Sequence, residues 1–148
     1  LVHGFILDER TFDTVLLEDR GDGLRGSARG KVAPHVGRRA VTHVRPLAQL
    51  TADGMEATLV SCRLETGRQH QIRVHLYEAG HPLVGERVYI RGYPGPRLEA
   101  PRVMLHARAL GFPHPARPEE AAMRFEAPVP EDFLAVAAAL GLKGEVPR

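Results

Sequence analysis

Cysteine is nearly absent: Cys62 stands alone among 148 residues. A disulfide framework and a cysteine-based zinc site are thereby excluded, and such usage suits a reducing compartment, with the cytoplasm as the expectation. No run of about 18 apolar residues occurs, so no bilayer-spanning helix is expected. The opening LVHGFILDER has neither a basic flank nor a small-residue cleavage site and does not read as a signal peptide. Lysine is scarce too. Of 20 basic residues only Lys31 and Lys143 are lysine; the rest are arginine. Arginine grips phosphate with a planar fork and stacks on bases, which fits RNA, whereas a G·C-rich genome would raise arginine without any such role. Net charge is only +2, with 43% hydrophobic and 26% charged residues. These are globular proportions, and the length fits one domain or part of a larger one.

What the chain does have is unevenly placed. From Arg20 to Arg45 there are seven basic residues (Arg20, Arg25, Arg29, Lys31, Arg38, Arg39 and Arg45) against one acid, Asp22. Such a stretch is either a solvated loop or a footprint for a polyanion. Apolar patterning predicts strands over residues 2–7 and 14–17, then a Gly- and Arg-rich loop over 21–37. Strands over 40–50 and 56–64 flank Asp53-Gly54 and read as an antiparallel hairpin. The period then changes. Thr66 and Gln69 have the spacing of a capping box, with Ile72 and Leu76 on one helical face and Gly80 and Pro82 as the stop. Strand-like segments over 103–112 and 123–125 follow. A closing helix begins at Pro130 with Glu131 and Asp132 in its first turn, carries Phe133, Leu134, Ala137 and Leu140 on one stripe, and stops at Gly141.

The densest segment, residues 64–76, reads LETGRQHQIRVHL. Gly67-Arg68 at a helix start would favour anions. Arg73, expected about one and a half turns in, lies near enough to the body to pair with a buried acid; an ordinary amphipathic helix with exposed arginines is the plain alternative. His70 and His75 are five residues apart and share no helical face, and no carboxylate clusters around His81, His106 or His114, so no metal site is expected. Tyr77, Tyr89 and Tyr93 are either packing residues or stacking platforms for bases.

ETGRQHQIRVHL, followed by GHPLVGERVY and LHARALGFPHP, resembles the RluA-type family of RNA pseudouridine synthases over about residues 1–128. The resemblance implies an α+β fold with a mixed, largely antiparallel sheet and flanking helices around an RNA-binding cleft. It implies isomerisation of uridine to pseudouridine in ribosomal or transfer RNA, with no cofactor or metal. An aspartate attacks as the glycosidic bond breaks, the uracil turns, and C5 joins the ribose; the target nucleotide is flipped from its stack. Arg73 matches the basic residue that pairs with the nucleophilic aspartate, and Leu105 the apolar residue that packs on the active-site base. Arg68 and Gln69 match positions near the cleft, and Arg38 and Arg39 are candidate RNA contacts. His70 and Gln71 are expected to orient the helix by hydrogen bonds.

One departure is decisive. The family's nucleophile sits in an HRLD-type block, and this sequence has none; Asp8, Asp13, Asp19, Asp22, Asp53 and Asp132 all lack that context. Val2-His3-Gly4 matches the strand that follows the family's Lys-x-Tyr block. The chain is therefore expected to be the C-terminal portion of a catalytic domain, residues 1–148, with the aspartate and tyrosine blocks upstream and no activity alone. The alternative is a non-catalytic RNA-binding module derived from such an enzyme. A smaller departure is Glu86, where the family more often has Asp. No membrane partner is expected.

Overall fold

A computed structural model describes residues 1–30, 32–33 and 35–147; Lys31 and Pro34 of the basic stretch lie outside the described residues. The elements in chain order are β1 (Val2–His3), β2 (Arg10–Leu17), β3 (Gly26–Ser27), β4 (Arg38–Ala52), β5 (Met55–Leu64), α1 (Gln71–Glu78), β6 (Ala109–Phe112), β7 (Met123–Glu126) and α2 (Glu131–Ala139). An antiparallel sheet in the order β1-β5-β4-β2-β3 carries most of the molecule, and β6 and β7 form a separate ribbon. The α+β class expected from sequence is thus observed.

The long β4–β5 hairpin is the spine. Asp53 and Gly54 both take positive φ, 51° and 74°, the left-handed pair that matches strand twist in a two-residue turn. Pairing runs from Ala52–Met55 to Thr42–Leu64, with a bulge between Pro46 and Ala48. Proline has no N–H to donate, so an interrupted ladder suits it. The bulge also reassigns faces. Val60 and Cys62 pack with Val44 and Leu76 beneath α1, whereas Ala57 and Leu59 pack with Leu50 and the α2 residues Phe133 and Ala137. Neighbouring strand residues point to opposite faces. The two cores therefore lie on opposite sides of one hairpin.

β1 pairs with β5 only at Val2–Thr58 and His3–Ala57. On its other side it meets residues 82–84: His3 N–H donates to Pro82 O, and Val84 N–H to Leu1 O. Met104 N–H then donates to Val84 O. His3 is buried and ties three segments, its Nδ1 donating to Pro82 O at 2.8 Å and its Nε2 accepting from Leu98 N–H at 2.9 Å.

Several expected boundaries move. The strand expected over 2–7 stops at His3, because Gly4 turns the chain at φ 71° and Thr58 Oγ1 takes the Ile6 N–H. The second strand begins at Arg10, four residues earlier than patterning indicates. The expected loop over 21–37 contains the short β3. The strand over 103–112 contracts to β6. Leu134, placed on the buried stripe of α2, is 39% exposed, while Phe133 and Ala137 face the core.

Candidate active site

The TGRQHQIR segment folds as a tight turn feeding α1. The expected capping box is absent: α1 begins at Gln71, and its N-cap, His70, takes φ 59° and makes no side-chain cap. Arg73 thus lies in the first helical turn. Gln71, buried, organises the turn instead. Its Oε1 accepts from Thr66 Oγ1 at 2.8 Å and from Arg68 N–H at 3.0 Å, and its Nε2 donates to Val41 O and Thr42 Oγ1. Thr66 Oγ1 also accepts Val41 N–H. Among the described residues no buried side-chain nitrogen or oxygen lacks a hydrogen-bond partner, as burial requires. His75 completes it, hydrogen-bonded to Thr42 through Nδ1 and Thr14 through Nε2, both at 2.9 Å. Burial pushes its pKa down, favouring the neutral ring.

Arg73 is held by a carboxylate that sequence reasoning did not pair with it. Its Nε donates to Glu86 Oε2 at 2.8 Å and its Nη2 to Oε1 at 2.7 Å. The Glu86 side chain is 1% exposed and that of Arg73 18%. Glu86 Oε1 also accepts the N–H groups of Arg87, Val88 and Tyr89. Burial works to raise the Glu86 pKa, but the Arg73 fork and these backbone donors win and hold it at about 2. The Tyr89 ring lies 5.0 Å from Arg73 Cζ, and its hydroxyl meets His70 Nδ1 at 2.9 Å. Tyr89 is thereby buried and unavailable as a stacking platform. An acid inside the apolar run PLVGERVYI was the available signal for this pair, since a buried charge needs a partner. Leu105 follows Met104, whose amide bonds Val84 two residues before Glu86, and its side chain is exposed. Arg73 and Leu105 thus belong to neighbouring segments.

The other sequence candidates gather in one place. Arg38, Arg39, Arg68 and Gln69 line a cleft of about 1180 Å³, joined by Arg25 and by the acids Glu18 and Asp19. Arg68 Nε donates to Arg39 O at 3.0 Å, which fixes the two arginines together. Arg39 is also tied to Asp13, through Nε at 2.9 Å and Nη2 at 2.5 Å. A second cleft, about 870 Å³, is lined by Arg20, Arg29, Arg91, Tyr77 and Tyr93 among others. Among the described residues no cluster of three or more His, Cys, Asp or Glu forms a metal site, and no helix is long and apolar enough to cross a membrane.

A family model described as RNA pseudouridylate synthase matches residues 8–78. The uncharacterized RNA pseudouridine synthase YlyB of Bacillus subtilis is 40% identical over 136 residues, covering 90% of this chain and 40% of that protein. Ribosomal large subunit pseudouridine synthase D of Pseudomonas aeruginosa is 39% identical over 145 residues, covering 90% of this chain and 42% of its own length. In solved structures, Human RNA Pseudouridylate Synthase Domain Containing 1 shares the fold with a TM-score of 0.64 at 24% identity, over 86% of this chain and 51% of that one. The chain therefore spans well under two thirds of the length of each of these proteins.

Proposed function

We propose that the chain belongs to the RluA-type family of RNA pseudouridine synthases and forms the C-terminal part of a catalytic domain that isomerises uridine to pseudouridine in RNA. The observation that carries the reading is Arg73. A guanidinium in the TGRQHQIR segment is fixed by Glu86, and the same segment contributes Arg68 and Gln69 to a cleft wall shared with Arg38 and Arg39. In the complete site Arg73 pairs with a nucleophilic aspartate supplied from upstream and keeps it ionised and oriented. Leu105 packs on the target base, and the cleft arginines take phosphates of the flanking RNA. The reaction breaks the bond from ribose C1′ to N1 and makes one from C1′ to C5; C5 gives up its proton and N1 gains one. Ribosomal RNA is the favoured substrate, because several relatives of about 40% identity are named for the large ribosomal subunit. Cytoplasmic action agrees with the lone cysteine. The 148-residue chain is inactive alone, having no aspartate in an HRLD-type block.

The test is release of tritium from RNA labelled at uridine C5. The native polypeptide that carries this chain releases it, and the Arg73→Ala variant is slower by about 100-fold or more. Binding of RNA by the native polypeptide without any release would instead identify the non-catalytic RNA-binding module. Near-normal release by Arg73→Ala would remove Arg73 from its assigned place.

A further inference from the structure

We propose that Glu86 is a positioning residue, locking one edge of Arg73 so that the other edge receives a second carboxylate, a proposal that rests on the pseudouridine reading of the site. A guanidinium has five N–H donors and two edges able to engage a carboxylate in a fork. Glu86 occupies the side-on edge, Nε and Nη2, at 2.8 and 2.7 Å. Among the described residues no hydrogen bond engages Nη1, so the end-on edge, Nη1 with the second Nη2 proton, is unpaired, on a side chain that keeps 18% of its surface exposed. The Tyr89 ring 5.0 Å from Cζ covers one face of the group. Tyr89 is in turn held by His70, which sits at φ 59° in the left-handed turn that opens α1. The guanidinium is therefore fixed by a carboxylate, a ring and a turn before any substrate arrives.

Glu86 itself cannot move freely, since Arg87, Val88 and Tyr89 each donate a backbone N–H to its Oε1. Such a carboxylate stays ionised across the working pH range. Its charge has a second effect. Arg73 arrives at the second carboxylate with its charge already offset by Glu86, so it orients the nucleophile without lowering the nucleophile's pKa as far as a lone cation would. Orientation and basicity are separated: the fork supplies the first, and Glu86 protects the second.

Two variants of the native polypeptide test this by pH–rate profiles of kcat/KM and kcat on C5-tritiated RNA. Glu86→Gln keeps an oxygen for the backbone donors but removes the charge. It is expected to lower kcat about 100-fold, leave KM nearly unchanged, and move the acid limb down by about one pH unit as Arg73 acts at full charge. Glu86→Asp, which keeps the charge on a shorter arm, is expected to restore the wild-type limb and most of the turnover. Wild-type activity with an unmoved acid limb and normal kcat in Glu86→Gln would overturn the inference while leaving the pseudouridine reading intact. An inactive wild type would overturn both. Should Glu86→Gln fail to fold, NMR of the wild-type guanidinium decides: the Arg73 Nε proton is expected to exchange slowly at pH 7 with and without RNA, and rapid exchange in the RNA complex would overturn the inference.

Discussion

Three buried titratable side chains govern how the folded protein meets acid. His3 and His75 have pKa values pushed down by burial, so the folded state binds fewer protons there than the unfolded chain does. Their contribution is complete above the unfolded value of about 6.5 and is lost as pH falls from there through the lowered folded-state values. Glu86, lowered from 4.5 to about 2, acts in a second window: its contribution is full above 4.5 and is lost as pH falls toward 2. That shift corresponds to about 3 kcal/mol. Urea midpoints measured from pH 8 to pH 2 should therefore fall in two stages, and Glu86→Gln should flatten the lower stage. A single transition centred near pH 4.5 would contradict this. The sequence showed Arg73, because its motif is specific, but not Glu86, which lies 13 residues away across a turn. It gave no hint of His3, whose partners Pro82 and Leu98 are far along the chain.

Among the elements, α1 is the one whose position the site depends on. Leu76 is fully buried against Val44, Val2 and Leu83, and Gln71 bonds α1 to β4 through Val41 and Thr42. Leu76→Ala should cost about 2–5 kcal/mol, read as a lowered unfolding midpoint. Gln71→Leu should also destabilise the protein by stranding polar groups of β4, and should disorder residues 66–70, visible as faster amide exchange at Arg68. Unchanged exchange at Arg68 would count against Gln71 as the organiser of the turn. The hairpin was readable in advance because Asp53-Gly54 is a local signal. The start of α1 was not: Thr66 and Gln69 have capping-box spacing, yet Thr66 spends its hydroxyl on Gln71 and Val41. Leu134 was misplaced for a related reason, since an alanine-rich helix leaves the direction of its stripe weakly marked.

At the scale of the whole molecule, charge and edges matter. Four sequence candidates for RNA contact, Arg38, Arg39, Arg68 and Gln69, line one cleft although they come from two segments some thirty residues apart. If that wall takes phosphates, plots of log affinity for RNA against log salt should lose about one unit of slope in Arg38→Ala and again in Arg68→Ala. Arg39→Ala should change less, because Asp13 already competes for its fork. Slopes unchanged from the wild type in all three would remove the cleft from the interface. Among the described residues no strand pairs with the outer edge of β5 beyond Thr58, and Leu110 and Phe125 of the ribbon are 62% and 50% exposed. The isolated 148-residue chain is accordingly expected to aggregate on warming, and a reversible monomeric melt would refute that.

The single bulge at Pro46–Ala48 leaves one core above the hairpin and another below it. Each opening of the lower one, with α2 swinging away and fraying, would bare the side chains of Leu50, Ala57 and Leu59 and the amides of α2 itself, while those of α1 stayed shut. Time in deuterium would then sort the protein into two populations of clocks, a faster one around α2 and a slower one around α1, and the clock of Arg73 would run with the slower.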